Sequence, residues 1–177
     1  MRSSRLALVA SLAAVAAVAG FRLASAKDEE KGGMVPQKPI ASPFTDALLG
    51  SWMTESESDM GQGPQKGKGQ VTFEKGVGGT AILETYQNTG AMGAFSGHGI
   101  YKVSDDGKTL SCWWIDSMSP EVMKISGPLT EKGCDISAPM PKGKFRITME
   151  KTDTGVSFKM FSADKQVMKE DYKRAAK

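Results

Sequence analysis

The feature that most constrains the fold is a succession of short segments in which apolar and polar residues alternate, separated by turn residues. In the clearest case Phe145, Ile147 and Met149 alternate with Lys144 and Arg146. A period of two residues is typical of a strand with one face in a core. From about residue 44 onwards no long segment shows helical periodicity. We therefore predict an all-β domain.

Ten candidate strands follow from this pattern. They cover residues 50–57, 69–74, 80–88, 95–103, 109–117, 122–129, 135–138, 144–151, 156–162 and 166–174. Short turns separate most of them, and we read residues 61–69 as a flexible hairpin loop. Sequential neighbours should then pair antiparallel, and closure into a barrel removes exposed edges. We predict a single antiparallel up-and-down barrel of about ten strands with a short plug helix, capped by Thr45 or Asp46.

The first 26 residues are typical of a secretory signal peptide. Arg2 and Arg5 precede an apolar run at residues 6–21, and small residues end at Ala26. The run is shorter than the roughly 20 residues of a membrane-spanning helix. We predict cleavage after Ala26 and export to the periplasm or the extracellular space, with no integral membrane span left.

Beyond residues 1–26, we predict a flexible arm at residues 27–43 and one barrel domain at residues 44–177. The arm is rich in charged residues, glycine and proline. The full chain has a formal charge of +3. Three basic residues and no acidic residue precede the cleavage site, so cleavage removes this charge. The mature chain is formally neutral, so the charge does not favour a nucleic-acid partner.

Cys112 and Cys134 are the two cysteines of the chain. In an exported protein they are candidates for a disulfide, and the alternative is two separately buried thiols. With His98 they fall short of the four ligands of a structural zinc site. We predict no metal site, and we assign the abundant methionines to core filling rather than to copper binding.

Four residues are candidates for the lining of the barrel. Trp114 and Asp116 share one face of a strand, as do Glu84 and Tyr86. An aromatic and polar cluster of this kind can orient a mainly apolar ligand. In one alternative the carboxylates hydrogen-bond cross-strand partners or loop amides and serve only the fold, and in another they carry out acid/base catalysis.

Several landmarks of the chain resemble a known family. Gly50-Ser51-Trp52 is similar to the Gly-x-Trp motif of the calycin superfamily, in which the Trp packs near a late basic residue, here Arg174. A broader set of segments resembles the family called domain of unknown function 1579. They are residues 48–52, 79–86, 97–101, 114–118 and 172–174. The resemblance implies a lipocalin-like barrel in exported proteins, with Gly50, Trp52 and Arg174 in structural roles and no established activity.

Some ten-stranded relatives of the lipocalins bind haem through one histidine, which makes His98 a candidate axial ligand. The alternative is a surface or packed histidine. Its neighbours Gly97 and Gly99 then mark a place where the strand bends or where another group approaches the backbone closely. We find no catalytic or cofactor motif elsewhere. We expect non-enzymatic binding of a small apolar molecule in the lumen, with no cofactor. The alternatives are a structural or interaction barrel with a filled core, a haem binder, or a carboxylate-dependent enzyme.

Overall fold

A computed structural model describes residues 42–61, 63–90, 93–141 and 143–175. It contains one α-helix of six residues, α1 (Pro43–Leu48), followed by ten strands, with a short 3₁₀ helix (Val77–Gly79) between the second and third strands. The strands are β1 (Gly50–Ser58), β2 (Gln65–Lys75), β3 (Ile82–Gly90), β4 (Gly93–Val103), β5 (Thr109–Asp116), β6 (Ser119–Pro128), β7 (Gly133–Met140), β8 (Gly143–Lys151), β9 (Gly155–Ser162) and β10 (Lys165–Arg174). The predicted signal peptide and residues 27–41 of the predicted arm lie outside the described residues.

The ten strands form one closed antiparallel barrel. Each strand pairs with the next in the chain, and β1 also pairs with β10, which closes the sheet. The prediction of a ten-stranded up-and-down barrel is therefore confirmed. No helix in the described part of the chain is long and apolar enough to cross a membrane.

Strand β2 is longer than the sequence suggested. It begins at Gln65, so the prediction of a flexible loop is wrong for residues 65–69. Main-chain pairing explains the difference, because Gly67 lies in register with Ser56 on one side and Gly90 on the other. The sheet ladder satisfies the backbone on both sides, which outweighs the low strand propensity of glycine.

Helix α1 lies across one end of the barrel, which we call the closed end. It begins at Pro43, earlier than the predicted cap at Thr45 or Asp46. Proline suits the first turn because its missing N–H would have no helical partner there. The Thr45 hydroxyl instead donates a hydrogen bond to the Ser42 carbonyl, at 3.0 Å.

Trp52 and Arg174 fasten the helix to the barrel. The Trp52 indole N–H donates to the Leu48 carbonyl at 2.7 Å, and the Arg174 guanidinium lies 3.7 Å from the centre of the Trp52 ring. Arg174 also donates to the carbonyls of Leu49 and Ala47, at 2.6 and 2.9 Å. Gly50 has a φ of +109°, and a side chain there would collide with the guanidinium.

The apolar core fills the half of the barrel next to α1. Its fully buried members come from the helix and from strands around the barrel, and they include Phe44, Leu48, Val71, Phe73, Leu110 and Ile136. The alternating residues of β8 and β9 follow the predicted faces, since Met149 and Val156 are buried and Phe158 packs against the core. The remaining inward side chains surround an open space in the other half.

Candidate functional site

The open half of the barrel encloses a cavity of about 440 Å³. Residues at the strand ends opposite α1 form its mouth, namely Ser58, Met60, Gln65, Lys66, Gly90, Gly93 and Met118. Apolar side chains make most of its wall, including Phe95, Phe145, Ile147, Phe158, Met160 and Met168. Its deep end is formed by Glu84, Tyr101, Cys112 and Tyr172. The cavity thus has apolar walls and a polar base.

Glu84 occupies the base of the cavity and is only 4% exposed. Its Oε2 accepts a hydrogen bond from the Tyr101 hydroxyl. The two side chains meet above Gly99, where a Cβ would collide with both of them. Burial raises the pKa of Glu84 to about 7; the Tyr101 hydrogen bond opposes this shift and the nearby Glu170 adds to it.

Glu170 is a second buried carboxyl, 1% exposed, on the wall of the same cavity. Its Oε1 accepts hydrogen bonds from the Tyr86 hydroxyl at 2.9 Å and from the Asn88 amide at 3.4 Å. The same amide donates to the Tyr86 oxygen at 3.0 Å and to Ser56 at 3.2 Å. Burial raises the pKa of Glu170, and the neighbouring Thr54 hydroxyl opposes the shift together with the hydrogen bonds from Tyr86 and Asn88.

These hydrogen bonds join β3 to β10 across the inner face of β1 and β2. They are possible because the inward positions on β2 next to Asn88 are Gly67 and Gly69. A Cβ on Gly67 would lie 2.6 Å from both the Asn88 and the Ser56 oxygens, and one on Gly69 would meet the backbone at Asn88. The glycines that suggested a flexible loop therefore make room for the polar cluster.

The tyrosines of the cavity remain protonated. Burial raises the pKa of Tyr101 and Tyr172, and the nearby carboxyls raise it further. Tyr86 follows the same trend. Each hydroxyl therefore stays protonated near neutral pH, and those of Tyr86 and Tyr101 donate to Glu170 and Glu84.

Trp114 and Asp116 lie on the cavity wall nearer the mouth. The Trp114 indole N–H donates to Asp116 Oδ2 at 2.8 Å, and the backbone amides of Met118 and Ser119 donate to Oδ1. The Trp114 ring covers Gly97, where a Cβ would overlap it. Asp116 thus stabilises the turn between β5 and β6.

The structure places the four predicted lining residues around one cavity, in two separate groups. Glu84 and Tyr86 belong to the deep polar cluster, whereas Trp114 and Asp116 form a pair nearer the mouth. Whether any of them binds a ligand stays a prediction.

His98 lies on the outside of the barrel and does not line the cavity, so the structure gives no support to its suggested role as a haem ligand. Its neighbours Gly97 and Gly99 face inwards, and alternation turns His98 to solvent. There its Nδ1 lies 3.4 Å from the Thr85 hydroxyl.

Cys112 and Cys134 are both buried free thiols, so the structure shows the second alternative and the disulfide is not formed. Strand β6 separates them: Cys112 pairs with Ile125, and Cys134 bridges to Leu129. Two strand spacings alone amount to roughly 9–10 Å between Cα atoms, and the four-residue offset from Ile125 to Leu129 adds to this, so the separation exceeds the about 7 Å that a disulfide spans. Burial raises the pKa of both thiols to about 12.

Part of the polar cluster is not predicted by the sequence pattern. Glu170, Tyr101, Asn88 and Ser56 were not proposed as site residues, although a signal for Glu170 is present. It shares one face of β10 with Met168 and Tyr172, so the alternation along the strand turns it inwards. In the described ranges no three His, Cys, Asp or Glu side chains group as metal ligands.

Comparison with known proteins identifies one family. The model of the family described as "Protein of unknown function (DUF1579)" matches residues 44–175, which is nearly all of the barrel and α1. A search of curated proteins finds no match.

Proposed function

The chain belongs to the DUF1579 family of proteins of unknown function, and we propose that it is a non-enzymatic binding protein that holds a small, largely apolar molecule inside its barrel. The cavity of about 440 Å³ is the observation that carries this proposal. Its volume falls within the roughly 300–1,000 Å³ of small-molecule sites. A barrel filled by its own side chains would leave no such space.

The composition of the wall supports an apolar ligand. Phenylalanine, isoleucine and methionine side chains surround the middle of the cavity, and the polar groups gather at its base and near its mouth. Ligand sites commonly combine apolar walls with a few placed polar groups that fix orientation. Methionines such as Met60 and Met118 at the mouth are flexible and can adapt to ligands of different shape.

Calorimetric titration with decan-1-ol tests the proposal. This probe is neutral and mainly apolar, and we expect saturable binding with a negative heat-capacity change because apolar surface is buried. Replacing Ile147 on the cavity wall by Trp should fill part of the space and weaken binding by about tenfold or more. The matched control is Ile100→Trp, because Ile100 faces outwards on β4 and is 46% exposed.

Circular dichroism establishes that both variants keep the β-sheet spectrum. Absence of binding to the wild-type chain up to the solubility limit of decan-1-ol would contradict the proposal. Equal loss of affinity in Ile147→Trp and Ile100→Trp would place binding outside the cavity and would contradict it as well.

An interaction role is the second candidate, supported by the outer face of β3 to β5. Leu83 and Ile100 are direct neighbours in the sheet and are 42% and 46% exposed, and Ile115 lies on the same face. Contiguous exposed apolar residues mark many interaction surfaces. Sedimentation velocity over a range of protein concentrations tests this candidate, since self-association through this face should weaken in Ile100→Ser.

A carboxylate-dependent enzyme remains a less supported alternative. Both oxygens of Asp116 already accept hydrogen bonds from the protein, which leaves it poorly placed for proton transfer. Export also remains a prediction, and measuring the mass of the mature chain from the secreting cell would test cleavage after Ala26.

A further inference from the structure

We propose that the ligand is an amine, and that its ammonium group binds between the carboxyl groups of Glu84 and Glu170 with the apolar part of the molecule towards the mouth. This inference rests on the proposed binding function. Both carboxyls line the cavity, although their side chains are 4% and 1% exposed. Buried acidic groups are ordinarily paired with a cation or a hydrogen-bond donor.

Each carboxyl is only half satisfied by the protein. Tyr101 donates to Oε2 of Glu84, and Tyr86 and Asn88 donate to Oε1 of Glu170. The other oxygen of each carboxyl receives no hydrogen bond from the described residues. An ammonium group has three N–H donors, so one such group can donate to more than one carboxyl oxygen.

Thr54 lies beside Glu170 and shows that the polar cluster is incomplete. Its side chain is 1% exposed and points inwards from β1, and its hydroxyl lies close enough to Glu170 to lower the pKa of that carboxyl. Even so, the hydroxyl is not in hydrogen-bond geometry with any residue that the structure describes. The polar groups around Glu170 are therefore not all satisfied by the protein.

The charges around the cavity favour a cation over an anion or a neutral molecule. Three acidic side chains line it, those of Glu84, Glu170 and Asp116, and the described lining holds one basic side chain, Lys66. Lys66 is exposed at the mouth, whereas the two glutamates lie deeper. An anionic head group would meet like charges at the base, and an alcohol could donate only one hydrogen bond.

The raised pKa of Glu84 agrees with this geometry. Burial beside Glu170 holds the carboxyl partly neutral near pH 7, which is expected of a site that lacks its counter-ion. A bound ammonium would supply the missing charge and stabilise the ionised form of both carboxyls.

Three probes with the same chain separate this inference from the proposed function, namely decan-1-amine, decan-1-ol and decanoate. Titrations at about pH 8 keep the amine protonated, because an alkyl ammonium titrates near the pKa of lysine. We expect the wild-type chain to bind the amine at least about tenfold more tightly than the alcohol, and the alcohol more tightly than the carboxylate.

The double variant of Glu84→Gln and Glu170→Gln should bind the amine and the alcohol with nearly equal affinity, because glutamine keeps the shape and removes the charge. Glu57→Gln is the matched control, since Glu57 is exposed on the outer side of β1. It should keep the preference for the amine. The two single variants, which alter less of the core, should each lose part of the preference.

Equal binding of amine and alcohol by the wild-type chain would overturn the inference and leave the proposed function standing. An unchanged preference in the double variant would do the same. Failure of all three probes to bind would overturn both. If the double variant does not fold, the single variants and the ranking of probes by the wild-type chain still decide between these outcomes.

Discussion

Replacing Glu84 by Gln should change how the stability of the barrel depends on pH. The Glu84 carboxyl is buried at the base of the cavity, and its pKa is about 7 in the folded protein against an ordinary value of 4.5. Glutamine has a similar shape and its carbonyl can still accept the hydrogen bond from Tyr101. The variant therefore removes the ionisation and keeps most of the packing.

The sign of the effect follows from the raised pKa. Below about pH 4.5 the carboxyl is protonated in both states, and its full contribution to stability is present. Between about pH 4.5 and pH 7 the folded protein holds the proton and the unfolded chain releases it, so the free energy of unfolding falls. Above about pH 7 the loss is complete. The difference between 4.5 and about 7 corresponds to about 3 kcal/mol.

Urea unfolding of the wild-type chain and of Glu84→Gln measures this difference directly. The free energy of unfolding of the variant, minus that of the wild-type chain, should rise by about 3 kcal/mol between pH 4.5 and pH 8. Glu57→Gln removes a carboxylate from the exposed face of β1 and serves as the control for a general change in charge. Glu170 is present in all three proteins, so its titration largely cancels.

A difference between Glu84→Gln and the wild-type chain that stays constant over this pH range would refute the reasoning. It would mean that Glu84 ionises as easily in the barrel as in the unfolded chain, and that water or a counter-ion reaches the base of the cavity.

Three further predictions concern other contacts. Gly97→Ala should displace the Trp114 ring that covers this position, which lowers stability by about 1–3 kcal/mol and changes the near-ultraviolet circular dichroism. Arg174→Lys should lower the free energy of urea unfolding by about 1–3 kcal/mol, because lysine cannot make both hydrogen bonds to the end of α1 while covering the indole. Cys112 and Cys134 should react with a thiol reagent only after unfolding, and two thiols should then be counted without added reductant.

The sequence was sufficient for the architecture because its signals are local. Alternation places a strand, and turn residues join it to the next strand antiparallel, so each step needs only neighbouring residues. Alternation also explains why Glu84, Tyr86, Trp114 and Asp116 face inwards, since parity along a strand is fixed once one buried residue is known. By the same parity, the inward positions of Gly97 and Gly99 exclude His98 from the lumen.

The starts of some strands and of the helix depend on contacts with distant segments, which alternation along one segment does not reveal. Residues 65–69 look like a loop because glycine has low strand propensity, yet pairing with β1 and β3 makes them part of β2. The helix start at Pro43 depends likewise on its neighbours in space. So does the separation of Cys112 from Cys134, and the local sequence pattern predicts neither.

The sequence by itself determined a barrel of about ten strands and the inward face of most of them, because both follow from periods and turns within short segments. Only the tertiary structure decided that Glu84 and Glu170 share one cavity. They lie on β3 and β10, which come close because β10 pairs with β1 and the barrel closes. The size of the cavity was also decided there, since it depends on how side chains from all around the barrel pack.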